Sequence, residues 1–109
     1  MGKAGKPDFA AARKLFEQAA AQGHAEAQFN LGIMHENGRS VAQSYEQAVK
    51  WYRQAAAQGE VNAIHNLGLS YYYGEGVDVS QETGVFWLKK SAALGNENSI
   101  SALKQLGIK

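Results

Sequence analysis

Three histidines, His24, His35 and His65, are the side chains in this sequence that first suggest metal chemistry. A zinc site on a helix usually places two histidines four residues apart, and a loop site adds cysteines or carboxylates at short spacing. These histidines stand 11 and 30 positions apart, with no carboxylate placed to complete a set. We therefore expect no metal site, and packing or surface roles for all three.

The residues that could catalyse a reaction are also poorly arranged. There is no cysteine, which excludes disulfides, thiolate ligands and thiol nucleophiles. The glutamates are scattered rather than paired as acid and base; they are Glu17, Glu26, Glu36, Glu46, Glu75 and Glu82. The turn Gly74–Gly76 lacks the strand and the lysine of a phosphate-binding loop. We predict a protein that is not an enzyme and needs no cofactor.

Composition narrows the class of partner. The chain has 109 residues, 45% of them hydrophobic, with one proline, as in an ordinary globular domain. Its 11 basic and 10 acidic residues give a net charge of +1, so no general field favours nucleic acid or an anionic membrane. No segment is apolar enough for a secretory signal or a membrane span. The sequence therefore leaves the compartment unknown, with the cytoplasm slightly favoured. Residues 1–7 are interpreted as a flexible or expression-derived leader.

A repeat of 36 residues organises the rest of the sequence. When Ala25–Glu60 is compared with Val61–Asn96, 13 of the 36 positions are identical. The identities include the Asn-Leu-Gly triplets at Asn30 and Asn66 and the tryptophans Trp51 and Trp87. The same shift relates Gly59 to Gly23 and Leu67 to Leu103, so the pattern reaches both ends of the chain.

Each unit has the spacing of a helical hairpin. In a first helix, A, the apolar stripe is Ala27, Leu31 and Met34 or His35. A second helix, B, has its stripe at Ala48, Trp51, Tyr52, Ala55 and Ala56. Glycines end the helices, and Ser44 and Ser80 stand at N-cap positions. Gly32 and Gly68 lie inside helix A and suggest that two helix backbones approach closely there. A lone hairpin cannot cover both faces, so the hairpins are expected to stack.

The segments "AQFNLGIMHENGRSVAQSYEQAVKWYRQAAAQG" and "AIHNLGLSYYYGEGVDVSQETGVFWLKKSAALG" resemble the Sel-one-like repeat (SLR) family, relatives of tetratricopeptide repeats. The resemblance implies an all-α, α/α superhelical solenoid of about six helices in the order B-A-B-A-B-A. It implies a half repeat over 8–24, repeats over 25–60 and 61–96, and a C-terminal capping helix over 97–109. Ser40 departs from the family pattern, which has glycine there, so the exact conformation of the first turn is not predicted. Lys104 stands where Gly32 and Gly68 permit close approach, as expected of a cap.

The residues of helix A that point away from its core stripe form the candidate binding surface. In tetratricopeptide-like stacks these positions line the concave surface that receives a peptide, and the slot of Asn30 and Asn66 holds the ligand's main chain or its terminal carboxylate. The lysines and arginine that complete such a carboxylate clamp are missing at the matching positions, so a hydrophobic or mixed peptide is expected rather than a C-terminal carboxylate. The predicted partner-binding residues are Phe29, Asn30, Ile33, Asn37, His65, Asn66, Leu69, Tyr72 and Tyr73. The last helix offers Asn98, Ser101 and Gln105. For Phe29 and Tyr72, packing between neighbouring helices is the alternative.

Three functions remain open at this point. The first is a protein–protein interaction module, or adaptor, that holds a hydrophobic or mixed peptide; its partner is not identified by the sequence. The second is a scaffold that self-associates through an open end or the aromatic groove face. The third, implied only by cysteine-rich members of the family that bind β-lactams, is β-lactam binding or hydrolysis, and the absence of cysteine weakens it.

Overall fold

The computed structural model describes residues 8–108, so the leader predicted over residues 1–7 lies outside the described residues. The described part contains six α-helices and no strand. They are α1 (Phe9–Ala21), α2 (Ala25–Asn37), α3 (Tyr45–Ala57), α4 (Val61–Tyr73), α5 (Gln81–Ala93) and α6 (Glu97–Gln105). Successive helices pack on one another in a stack of 52 × 26 × 26 Å. The prediction of an all-α solenoid with six helices is confirmed.

Side-chain caps start the helices where the sequence places short polar residues. The hydroxyls of Ser44 and Ser80 accept hydrogen bonds from the backbone N–H three residues later, at 3.1 and 3.2 Å. Asp8 and Asn96 cap α1 and α6 in the same way. Such a cap stabilises a helix by about 1 kcal/mol, since it satisfies a backbone donor that has no partner within the helix. The positions of these capping residues in the sequence therefore set where these helices begin.

The turn after α2 keeps the form of the turn after α4 despite Ser40. Ser40 has a φ of 66°, close to the 81° of Gly76 at the equivalent position. A left-handed conformation costs a non-glycine residue roughly 1–2 kcal/mol. Nε of Arg13 donates a hydrogen bond to Oγ of Ser40 over 2.9 Å, which ties this turn to α1. The first turn, which the sequence left open, therefore has the same form as the second. Ser40 adopts a strained conformation there, and a hydrogen bond from α1 holds it.

Two apolar clusters form a core that runs along the stack. The first lies between α1 and α2 and contains Ala20, Ala27, Leu31 and Met34. The second, between α3 and α4, consists of Ala48, Val49, Tyr52, Ala55, Ala56, Ala63, Ile64 and Leu67. Trp51 packs against the first cluster from α3, and Trp87 packs against the second from α5. Each tryptophan therefore packs against a cluster that contains residues of its own unit and of the preceding one.

The two interior glycines of helix A serve different contacts. At Gly68, a Cβ would lie 3.0 Å from the backbone oxygen of Gly84 and 2.9 Å from Cγ of Leu88, so α4 and α5 do approach backbone to backbone. At Gly32, a Cβ would overlap the ring of Tyr52, which is a side chain. The expectation of two close helix backbones is correct for Gly68 and wrong for Gly32. There, the space that glycine leaves is filled by a buried aromatic ring.

The last helix exposes positions that are buried in the preceding unit. Ile100 is 38% exposed, whereas Ile64 at the equivalent position of α4 is completely buried beneath its neighbours. Lys104 is exposed at the position equivalent to Gly68. No described helix packs on this side of α6, so a long charged side chain is accommodated there.

Candidate functional site

A cleft of about 390 Å³ lies between α4 and α6, and we call it the α4–α6 cleft. Helix α4 contributes His65, Leu69 and Tyr73, which recur every four residues and so form one stripe on the helix. The facing residues lie on or just after α6 and are Asn98, Ser101, Ala102, Gln105 and Leu106. Two helices of type A thus present a mixed apolar and polar surface to one open cleft.

His65 is held in the cleft wall by a residue 34 positions away. Its Nδ1 shares a hydrogen bond of 2.6 Å with Oγ of Ser99 on α6. Burial lowers the pKa of His65 below its usual value of 6.5, so the imidazole is neutral at pH 7. Ser99 is completely buried and cannot meet a substrate. The pair therefore orients the ring and does not form an accessible nucleophile and base.

The aromatic end of the cleft is exposed. Tyr73 is 59% exposed and packs edge-to-face on Tyr72, with ring centroids 5.1 Å apart. Leu69, one turn earlier, is half-buried. An exposed ring beside a partly covered aliphatic side chain offers apolar area that water hydrates poorly. This end of the cleft can cover an apolar side chain of a ligand.

No lining residue of the α4–α6 cleft carries a formal charge at neutral pH. None of its described lining residues is an aspartate, glutamate, lysine or arginine, and His65 is neutral for the reason above. The polar groups are the amides of Asn98 and Gln105 and the hydroxyl of Ser101. Amides both donate and accept hydrogen bonds. The arrangement suits an uncharged polar backbone better than an ionic group.

The nine predicted binding residues do not share one surface. His65, Leu69 and Tyr73 line the α4–α6 cleft, whereas Asn30 and Ile33 line a separate cavity. Phe29 is half-buried and packs on the core, its ring centroid 6.0 Å from that of Tyr52. This is the packing role that the sequence left open.

The remaining three predicted residues lie outside both spaces. Asn37 is exposed at the end of α2, and Tyr72 is half-buried beneath Tyr73. Asn66 is also half-buried, near the hydroxyl of Tyr52. Tyr52 is completely buried and donates a hydrogen bond to Glu36. Burial, and next that hydrogen bond, raise the pKa of Tyr52 far above its usual value. Asn66 therefore belongs to an internal polar contact.

The separate cavity, which we call the α1–α2 cavity, has a volume of about 190 Å³. Its lining residues are Phe9, Ala12, Phe16, Asn30, Ile33, Met34 and Arg39. The guanidinium of Arg39 lies over the ring of Phe9, 5.0 Å from its centroid. Sequence reasoning missed Phe9, Phe16 and Arg39 here, as it missed the buried Ser99 that holds His65. The sequence offered one indication of Arg39: it stands next to Ser40, the residue of this turn that departs from the family pattern.

The described residues contain neither a cluster of metal-binding side chains nor a membrane-spanning helix. Residues 8–108 contain no group of three or more histidine, cysteine, aspartate or glutamate side chains placed to hold a metal ion. Nδ1 of His35 is buried and has no hydrogen-bond partner among the residues that the structure describes, and burial is the main cause that lowers its pKa. Among these residues, no helix has the length and apolar character needed to cross a bilayer.

Comparison with known proteins gives a family model and several solved structures. The model of the Sel1 repeat matches residues 1–24, 25–60 and 61–96. A Sel1 repeat protein from Oxalobacter formigenes is 34% identical, with a TM-score of 0.81 over 84% of this chain and 69% of that one. No curated protein matches the chain.

Two further structures share the architecture. The antigen c5321 of uropathogenic Escherichia coli strains, which has an SLR fold, is 39% identical, with a TM-score of 0.82. The match covers 84% of this chain and 20% of that protein, so this chain spans about a fifth of its length. Cysteine rich protein B of Helicobacter pylori is 24% identical, with a TM-score of 0.78 over 84% of this chain and 68% of that one. At this identity the likeness shows the fold alone.

Proposed function

Because this chain belongs to the Sel1 repeat family, whose members are generally protein–protein interaction modules, we propose that it is a non-catalytic adaptor. In this proposal it holds an extended segment of a partner protein in the α4–α6 cleft. The observation that carries the proposal is the cleft itself, formed by two type-A helices with His65, Leu69 and Tyr73 on one wall. Its volume falls within the usual range of roughly 300–1,000 Å³ for ligand sites.

The lining indicates which kind of segment fits. An apolar side chain of the partner packs on Leu69 and Tyr73, and its transfer from water supplies most of the affinity. The amides of Asn98 and Gln105 donate to and accept from the partner's main chain, which in an extended segment has free N–H and C=O groups. Because the cleft has no formal charge at pH 7, an uncharged segment is preferred to an acidic or basic one.

An exposed aromatic pair elsewhere in the molecule provides a matched control for the test. Phe86 on α5 is 59% exposed, the same as Tyr73, and packs edge-to-face on Trp87 at 5.2 Å. Peptides selected from a random library on the native chain are then measured against Tyr73→Ala and Phe86→Ala. Loss of a central aromatic anchor weakens binding by about tenfold or more. We expect this loss for Tyr73→Ala and unchanged affinity for Phe86→Ala.

Two results count against the adaptor proposal. One is selection of no peptide at all by the folded chain. The other is a set of peptides whose affinity for Tyr73→Ala equals that for the native chain. Circular dichroism of both variants shows whether a lost interaction reflects unfolding instead.

Self-association is the second candidate function, favoured by the exposed apolar side chains of the last two helices. Phe86, Leu94 and Ile100 are 59%, 55% and 38% exposed. Lys104 opposes close packing there because burying an unpaired ammonium is costly. Sedimentation velocity at increasing protein concentration distinguishes the two functions, since an adaptor stays monomeric and a scaffold shifts to larger species.

A further inference from the structure

The α1–α2 cavity is an apolar space large enough for one compact side chain or ring. Its walls are the rings of Phe9 and Phe16 from α1 and the side chains of Ile33 and Met34 from α2. An apolar cavity of about 150 Å³ in another protein admits a benzene molecule, so about 190 Å³ admits a group of leucine or phenylalanine size. None of these side chains offers a polar group to such a ligand.

One cationic group, the guanidinium of Arg39, lies at this cavity, and hydrogen bonds of the turn after α2 hold the backbone that carries it. The backbone N–H of Arg39 donates to the carbonyl of Met34 over 2.9 Å, and the next residue, Ser40, is tied to Arg13. The guanidinium stacks on Phe9 at 5.0 Å. Among residues 8–108 it makes neither a salt bridge nor a side-chain hydrogen bond. Arg39 therefore presents its donors to solvent at the rim of an apolar cavity.

The equivalent place in the second unit has different chemistry. A shift of 36 residues replaces Phe16 by Tyr52 and Arg39 by Glu75. Tyr52 is completely buried and its hydroxyl is bonded to Glu36 at 2.7 Å. The first unit lacks that hydroxyl, and the amide of Asn30 makes no hydrogen bond within the described residues. The cationic cavity is thus a property of the first unit and not of the repeat.

We propose that the α1–α2 cavity binds a monocarboxylate whose apolar group has the size of a leucine or phenylalanine side chain. The apolar group occupies the space between Phe9, Phe16 and Ile33. The carboxylate accepts charge-assisted hydrogen bonds from Arg39, whose planar fork matches two carboxylate oxygens. The Asn30 amide donates to the same group. The seven residues before Asp8 contain two lysines and no acid, so their charge does not complement Arg39.

The ligand chemistry has two possible sources, a free organic acid or the C-terminal residue of a peptide. The probes are therefore 4-methylpentanoate and 3-phenylpropanoate for the free acid, and N-acetylleucine for a chain terminus. The amide 4-methylpentanamide keeps the apolar shape without the charge. Ligands of this size bind in the high micromolar to millimolar range. Tighter binding of either class of acid than of the amide supports the proposal. The class that binds more tightly identifies the source.

The test is a ¹H–¹⁵N NMR titration of the whole chain. We expect saturable shifts at Phe9, the Asn30 side-chain amide and Nε of Arg39, with the neutral amide at least about tenfold weaker than the acid. Arg39→Gln and Arg39→Glu, the latter reproducing the residue of the second unit, are expected to lose about tenfold or more. Arg53→Gln is the matched control because Arg53 also stacks on a ring, that of Tyr71, at 5.3 Å. It should bind the acid as the native chain does.

Three results overturn the proposal. They are equal binding of the acid and its amide, unchanged binding by Arg39→Gln, and the absence of shifts at millimolar acid. The variants replace an exposed side chain, so they are expected to fold, and their NMR spectra verify this directly. The adaptor proposal concerns residues of α4 and α6, so Tyr73→Ala leaves acid binding intact whichever way the peptide experiment falls.

Discussion

The hydroxyl of Tyr52 donates a hydrogen bond to Oε1 of Glu36 over 2.7 Å, and Tyr52 is completely buried. Its ring fills the space that Gly32 leaves open on α2. Glycine, ring and carboxylate thus form one contact between the two helices of the first complete unit. The same position in α1 is Phe16, which has no hydroxyl, and there the cavity is found.

Tyr52→Phe is expected to destabilise the chain by about 1–3 kcal/mol, since a hydrogen bond to a charged acceptor is lost from a buried site. The measurement is urea unfolding followed by circular dichroism. Tyr45→Phe is the control because its side chain is 39% exposed and its change should lie within about 0.5 kcal/mol. Equal stability of Tyr52→Phe and the native chain would show that water replaces the hydroxyl at Glu36 without cost.

Gly84→Ala should destabilise the chain strongly and Lys104→Ala should hardly change its stability, although both introduce alanine into a helix. A Cβ at Gly84 lies 2.7 Å from the backbone nitrogen of Tyr72 and 2.8 Å from the oxygen of Gly68. Backbone atoms cannot rotate away, so we expect a loss of about 3 kcal/mol or more. Helix propensity alone predicts a gain of about 1 kcal/mol. Thermal unfolding shows whether Gly84→Ala lowers or raises the stability. The stability of Lys104→Ala should stay within about 0.5 kcal/mol of the native chain because this side chain is exposed.

Gly76→Ser and Ser40→Gly exchange the residues of two equivalent turns. In Gly76→Ser, the new Cβ overlaps the Tyr45 carbonyl, and the left-handed backbone adds strain, so we expect a loss of about 2–3 kcal/mol. In Ser40→Gly, relief of roughly 1 kcal/mol of strain is offset by the greater entropy of an unfolded glycine and by loss of the Arg13 hydrogen bond. Its stability should change by less than about 1 kcal/mol. Equal effects of the two substitutions in urea unfolding contradict this account.

The pKa of His65 predicts loss of stability in acid. Burial lowers the folded-state pKa below the unfolded value of 6.5, so the stabilising contribution is complete above about pH 6.5 and falls as pH decreases through the folded pKa. His65→Gln should therefore make the free energy of unfolding fall less between about pH 7 and pH 5. The control Gln54→Ala, which replaces an exposed and uncharged side chain of α3, should leave the pH dependence of the native chain unchanged. If both variants lose as much stability as the native chain, the prediction is wrong.

The helices were predictable because their boundaries depend on local chemistry. Ser44 and Ser80 offer hydroxyls to the first turn of a helix, and the repeated glycines allow the backbone to leave it. Because the 36-residue unit occurs twice, each capping serine and each glycine at a helix end is seen at two equivalent positions. The stack follows because neither hairpin can cover its own apolar face.

The binding surfaces were less predictable because they depend on contacts between distant residues. His65 meets Ser99 across 34 positions, and nothing in either helix alone predicts that pair. Phe29 has the same spacing as a groove residue, yet the ring of Tyr52 packs beside it. The α1–α2 cavity forms where Phe9 and Phe16 of α1 face Ile33 of α2 and Arg39 of the turn after it, residues up to 30 positions apart. Helical periodicity predicts which residues face away from one neighbour, but not which other element packs there.

Chemical-shift mapping of a selected peptide on the ¹⁵N-labelled chain tests the adaptor function most directly. We predict the largest changes at His65, Leu69, Tyr73, Asn98, Ser101 and Gln105, the described walls of the α4–α6 cleft. Changes centred on α1, α3 or the outer face of α5, with the cleft signals unmoved, would contradict it.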